Sequence, residues 1–228
     1  MVSTKKYHHV WDLTTREAKD LQVNHRSLVI LTPPKGPIRR IAACDVSFSR
    51  HAEDLYAGVA VFSYPDLRLL DKATAKVKIT FPYVPGYLSF RETPAVLEVF
   101  KHIKIQSDCI ILDGQGLAHP RFFGLACHVG LWMNCPTIGC AKSRLIGEFV
   151  DPDMTKGSSS PLKIGFRTVG TVLRTRSGVK PLFVSPGHLM DISTAKKIIL
   201  SLCVKYRIPE PIRYVHDLVN MARRREES

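Results

Sequence analysis

An α/β fold around one mixed sheet is what this 228-residue sequence predicts. Three observations lead there. Apolar runs rich in Val, Ala and Ile follow one another closely between Arg39 and Thr80, as in an antiparallel meander. Beyond Thr93, strand-like runs alternate with segments of helical period. No internal repeat divides the chain into smaller units. A chain of this length can bury a full core, and we read a single domain over residues 1–228 with its core at about 13–220.

Each element has its own signal. Thr14-Thr15-Arg16-Glu17 has capping-box spacing, and Ala18 and Leu21 follow among charges, so a helix is predicted to about Arg26. Pro33, Pro34, Gly36 and Pro37 stop it. A strand over Arg39–Phe48 carries Asp45 among apolar neighbours, where a carboxylate needs a partner or a metal. Leu55–Tyr64 and Leu67–Thr80 read as two further strands joined at Pro65-Asp66. Phe81 to Glu92 reads as a stiff loop with Tyr83 and Val84 between Pro82 and Pro85, and Thr93-Pro94 as the start of a helix to about Ile105, with Glu92 at its entrance.

Cys109–Leu112 is an apolar run that fits a strand buried on both faces, and it ends in Asp113-Gly114-Gln115-Gly116. We expect the two glycines to supply turn conformations there. Such a corner is also what an ordinary strand-turn-helix junction with a capping Asp looks like. A helix over Phe122–Trp132 and a strand over Cys135–Cys140 follow. Asp151–Leu162 reads as a mobile surface loop, Ile164–Arg176 and Lys180–Ser185 as a strand pair, and the segments around Ile192–Cys203 and Ile212–Ala222 as helices.

Lys plus Arg exceed Asp plus Glu by 13, which favours a polyanionic partner through phosphate contacts and counterion release. Six cysteines without a Cys-x-x-Cys pair suit packed, reduced thiols better than a disulfide frame or a zinc site. No apolar stretch approaches the ~20 residues that a bilayer requires, and the N-terminus lacks a signal-peptide core, so we expect a cytoplasmic protein with no membrane partner.

Asp45, Glu92 and Asp113 each stand where a mixed sheet could bring them together, and His216 falls at the border of the last helix's buried face. Three oxygen donors and an imidazole favour Mg²⁺, with Mn²⁺ as a substitute, over zinc. With the basic surplus, the natural substrate is a nucleic-acid phosphodiester. Lys142 is a candidate for neutralising developing charge, His119 for positioning phosphate or protonating a leaving oxygen, and Arg121 for clamping phosphate.

These residues lie in segments that resemble the endonuclease V family: Cys44–Phe48, Phe81–Gly86 with Leu88–Glu92, Asp113–Arg121, Gly139–Ser143, Leu173–Arg176, Lys180–His188 and Ile208–Arg213. Their order and spacing cover nearly the whole chain from about Leu13 to Asp217. The resemblance implies a ribonuclease H-like fold, with a mixed five-stranded central sheet flanked by helices. It also implies a Mg²⁺-dependent repair endonuclease that recognises deoxyinosine, the product of adenine deamination. Such enzymes hydrolyse the second phosphodiester bond on the 3′ side and leave 3′-hydroxyl and 5′-phosphate ends.

By position, Asp45, Glu92 and Asp113 take the family's metal ligands, His119 and Lys142 lie near the phosphate, and His216 or its neighbour Asp217 takes the C-terminal site position. Pro82-Tyr83-Val84-Pro85 matches the strand-separating wedge, and Leu88, Gly114, Gly124 and Leu145 match the lesion pocket. Gln115 departs from the His of some members. The expected partner is deoxyinosine-containing DNA, met by a monomer. An inosine-specific endoribonuclease and a noncatalytic hypoxanthine-binding module are the two alternatives.

Overall fold

The computed structural model describes residues 7–48 and 54–227. Eight strands form one sheet: β1 (Arg40–Phe48), β2 (Asp54–Ser63), β3 (Leu69–Lys78), β4 (Cys109–Leu112), β5 (Thr137–Ala141), β6 (Ser159–Ile164), β7 (Arg167–Leu173) and β8 (Leu182–Pro186). Their order across the sheet is β3-β2-β1-β4-β5-β8-β7-β6. The first three strands pair antiparallel as the meander predicted, while β1, β4 and β5 run parallel. The five strands of the implied central sheet are therefore present, and β8, β7 and β6 prolong it by antiparallel pairing.

Among the described residues there are five α-helices, α1 (Thr15–His25), α2 (Leu88–Phe100), α3 (Leu125–Met133), α4 (Ile192–Ser201) and α5 (Glu210–Glu227); the last four flank the sheet, and α1 packs outside α2 and α3. Alternation along the central strands splits the core in two. Ile41, Ala43, Cys109 and Ile111 face α4 and α5, whereas Ala42, Cys44, Ile110 and Leu112 face α2 and α3. Before α1, Trp11 stacks against Trp132 of α3 at 4.8 Å between ring centroids, so the packed body starts a few residues ahead of Leu13. Among the described residues no helix is long and apolar enough to cross a membrane.

Three local expectations are corrected. Helix α2 begins at Leu88, not at Thr93-Pro94, and ends at Phe100, so Pro94 and Glu92 both lie inside it. Tertiary burial outweighs the capping signal here. Phe90 is fully buried against Phe81 and Ala18, which fixes the first turn five residues early, and Thr93 is buried without a partner for its hydroxyl instead of capping.

The last four residues of Asp151–Leu162 belong to β6, and its start is held by the buried Arg174, which donates to the carbonyls of Pro152 and Asp153 at 2.6 and 3.1 Å. Nor do Gly114 and Gly116 serve as turn residues with positive φ. Gly116 is needed for closeness, since a Cβ there would stand 2.1 Å from the carbonyl oxygen of Pro186.

Candidate functional site

Parallel pairing of β1 with β4 sets Cys44 level with Leu112. One residue further, Asp45 and Asp113 emerge on neighbouring strands, ~4.8 Å apart in a sheet of ordinary spacing and on the same face. Glu92 reaches them from the second turn of α2, and His216 from α5, which packs across β1 and β2. The sheet and two helices thus bring together all four residues expected to hold a metal.

Electrostatics confirm the crowding. Burial, then the charges of Asp45 and Asp113, push Glu92 up to about 8. Asp45 is also raised, by burial and by Asp113, against the opposing pull of His216. Two nitrogen-bearing side chains flank the acids. Lys142 Nζ donates to Asp113 Oδ2 at 2.5 Å, and His216 Nδ1 lies 2.8 Å from Asp45 Oδ2. His216, not Asp217, therefore faces the carboxylates. Asp217 instead lines surface hollows beside Arg213. Among the described residues no three His, Cys, Asp or Glu side chains stand, as placed, where they could hold a metal ion together. The donor set is rich in oxygen and short of positive charge, which is the chemistry that a hard divalent cation satisfies.

Beside the acids opens a cavity of about 430 Å³, within the ~300–1,000 Å³ of small-molecule sites. Leu88, Gly114, Gly124 and Leu145 all line it, as do Tyr83, Val84 and Pro85, while Pro82 stands exposed outside. Asp113 and Lys142 are also in its wall, so the cavity and the acidic cluster share two residues. Gln115 frames the back. Its amide donates to the Ser143 carbonyl at 3.2 Å, and Ser185 Oγ, which accepts from Gly116 N–H at 2.8 Å, reaches its oxygen.

The Pro82–Pro85 loop is anchored at both ends. Phe81 is buried at one end. At the other, the Gly86 carbonyl accepts from Arg121 Nη2 (2.6 Å), His119 Nε2 (3.0 Å) and Gln22 Nε2 (3.2 Å). Gly86 adopts φ +82°, where a side chain is strained, and a Cβ would press on Arg121 at 2.9 Å. Between these anchors Tyr83 is 68% exposed.

This wiring engages two of the candidate residues. Both ring nitrogens of His119 are engaged, since Nδ1 accepts from Arg121 N–H at 3.2 Å, and burial holds its pKa down to about 4. So committed, the imidazole braces the loop, with its Nε2–H held by the Gly86 carbonyl. Arg121 likewise braces the loop, with Nε on Gln22 Oε1 and its guanidinium 4.3 Å from the Tyr87 ring centre.

Sequence reasoning missed two residues of this framework. Gln22 lies four positions after Ala18, on the inward face of α1, and a polar residue at an apolar-face position was the available signal. Arg207 donates to the carbonyls of Lys142, Lys180 and Pro181 at 2.7–2.8 Å and so fixes the backbone under Lys142. No local pattern marked it, because its partners come from elsewhere in the chain.

Known proteins share this arrangement. The endonuclease V family model matches residues 23–217. The chain is 44% identical to endonuclease V of Myxococcus xanthus over 215 residues, covering 94% of this chain and 92% of that protein. It is 45% identical to endonuclease V of Nostoc punctiforme over 213 residues, covering 93% and 96%.

The crystal structure of Streptomyces avermitilis endonuclease V superposes with a TM-score of 0.91 at 40% identity, over 96% of each chain. Ciona intestinalis endonuclease V was crystallised in complex with a 24-mer DNA containing an inosine followed by a ribo-adenosine. It superposes with a TM-score of 0.84 at 28% identity, over 92% of this chain and 98% of that one. With a family match across the acids, the cavity and the anchored loop together, this chain belongs to the endonuclease V family.

Proposed function

We propose that the protein is a Mg²⁺-dependent deoxyinosine 3′-endonuclease. It recognises deaminated adenine in DNA and hydrolyses the second phosphodiester bond 3′ to the lesion, leaving 3′-hydroxyl and 5′-phosphate ends. The observation that carries the reading is the shared wall: a cavity of purine-accommodating size meets an acidic cluster at Asp113 and Lys142. A base held in the first lies within a nucleotide or so of groups held by the second.

In this reading Asp45, Glu92, Asp113 and His216 hold Mg²⁺, with Mn²⁺ able to replace it. A divalent cation held there would supply Lewis acidity at the scissile phosphate and would lower the pKa of a bound water. Lys142 balances the charge that gathers on the phosphate oxygens, and Arg207 keeps the lysine's backbone in register. His216 orients the Asp45 carboxylate through its Nδ1–H. Tyr83, rigid between prolines and exposed, enters the base stack and holds the strands apart while losing little loop entropy.

Leu88, Gly114, Gly124 and Leu145 then receive the flipped base, whose 6-position differs from that of adenine in hydrogen-bonding character. His119 acts as a positioning residue, not as an acid. The partner is inosine-containing DNA, bound by a monomer, and six unpaired cysteines agree with a reducing, cytoplasmic setting.

The test is cleavage of end-labelled DNA and RNA oligonucleotides carrying inosine or guanosine, in Mg²⁺ and in chelator. Mg²⁺-dependent scission of the inosine DNA one nucleotide beyond the lesion supports the reading. Preference for the RNA transfers the substrate to inosine RNA, and selective binding without scission makes the protein a reader of hypoxanthine.

A further inference from the structure

The wall of the cavity does not end at Leu145. Arg144 and Leu145 also line a second, open hollow of about 420 Å³, completed by Ile146, Gly147, Glu148, Lys163, Ile164 and Gly165. Its far side is the hairpin that joins β6 to β7, and at the tip of that hairpin Phe166 projects with its whole side chain in solvent. A lone exposed apolar residue is ordinary. This one differs in its frame and its company.

The frame is stiff. Glu148 and Lys163 exchange both backbone hydrogen bonds, at 2.7 and 2.9 Å, so the hairpin is bonded to the loop that carries Leu145 into the cavity. Arg144 Nη1 donates to the Gly147 carbonyl at 3.1 Å and closes that loop. The company is basic and aromatic. Lys163 and Arg144 line the hollow against the single acid Glu148, Arg167 adjoins the tip, and Arg167 and Arg144 lie 4.8 and 5.6 Å from the ring centres of Phe122 and Phe149. A cationic groove with an exposed ring is how proteins hold unpaired nucleic acid, because phosphates meet the charges and any base can stack on the ring.

We infer that this hollow and Phe166 form an extended subsite for an unpaired segment of the nucleic acid flanking the inosine, with Phe166 as a stacking platform. The inference rests on the proposed function, since it treats the neighbouring cavity as the lesion pocket. Continuity through Arg144 and Leu145 limits the occupant to the strand that already fills that cavity. Because the two cavities share only Arg144 and Leu145, the occupant is expected on one side of the lesion.

Fluorescence anisotropy with single-stranded inosine DNA, in Ca²⁺ so that cutting does not intervene, tests this. A short oligonucleotide with about three nucleotides on each side of the inosine is compared with versions lengthened by about six on the 5′ or on the 3′ side. Wild type is expected to gain about tenfold in affinity from one of the two extensions. Phe166→Ser should lose that gain while keeping the affinity for the short oligonucleotide, Phe166→Trp should restore it, and Lys163→Ala should flatten its salt dependence.

Equal gains in wild type and Phe166→Ser would overturn the inference, as would equal loss on short and long DNA. A change of oligomeric mass in Phe166→Ser with unchanged DNA binding would assign the tip to a second copy of the chain. Failure of wild type to prefer inosine over guanosine in the short oligonucleotide would instead sink the proposed function, so the two failures are separable.

Discussion

The two halves of the site are built on opposite principles. At the Gly86 carbonyl the protein supplies its own partners, and three donors from α1 and the segment after β4 fix a single oxygen. Around Asp113 the protein has gathered acids that Lys142 and His216 offset only in part, and burial, then the charges of Asp45 and Asp113, drives Glu92 up to about 8. In the proposed reading, recognition is preformed in the fold, whereas the chemistry is left electrostatically incomplete until a cation arrives. A rigid reader beside an unfinished reactor separates finding the lesion from cutting beside it.

The comparison is sharpest at Asp113, which belongs to both halves. Replacing it as Asp113→Asn keeps the shape of the cavity wall but removes the charge, so cleavage should fall at least about 10³-fold in single-turnover assays while inosine-selective binding changes only a few-fold. Turnover that survives would dissolve the metal assignment. A smaller effect is expected on the recognition side from Gln22→Leu. Losing a buried donor shared between the Gly86 and Phe123 carbonyls, and the acceptor of Arg121, should weaken binding of inosine in a duplex ~10–100-fold. Its maximal cleavage rate at saturating DNA should stay near that of wild type, and a fall in that rate alone would mean that the two halves are not separate.

Much of the fold was legible in the sequence because its signals are local. The apolar run Cys109–Leu112 became a fully buried strand with those bounds, and the capping box of Thr14 and Glu17 forms as spaced. Where local and tertiary signals conflict, the tertiary one prevails, as at Thr93-Pro94, whose capping pattern was overruled by burial of Phe90. Within the site, the carboxylates could be found because an acid inside or at the end of an apolar strand is conspicuous. The braces could not. Nothing in the local sequence announces that His119, Arg121 and Gln22 meet on one carbonyl, and the same residue types suggest acid catalysis or phosphate binding equally well.

Two milder perturbations sharpen the contrast further. Tyr83→Ala leaves both anchors of the loop intact, so it should cost about tenfold on inosine within a duplex and much less on a single strand, and equal losses on both would remove the wedge role. His119→Gln is expected to show itself chiefly in stability. Burial holds the His119 pKa at about 4 in the folded protein, below the ~6.5 of the unfolded chain. Between those values the unfolded state binds the extra proton, so stability is lost as pH falls from about 6.5 toward 4.

The variant lacks that contribution, and urea unfolding at pH 7 and pH 4.5 should show wild type losing about 2 kcal/mol more than His119→Gln between the two. The equally depressed His188, at about 4, is present in both proteins and cancels. Parallel losses would mean that His119 is not held neutral by the fold.

The most direct test of a preformed reader beside a cation-dependent reactor is the ratio of affinities for inosine and guanosine DNA, measured with wild-type protein in chelator and again in Ca²⁺. The account predicts the same preference for inosine in both, with only overall affinity rising when the cation offsets the acids. A preference that vanishes in chelator would contradict it, and would mean that the cation assembles the lesion pocket as well as the chemistry.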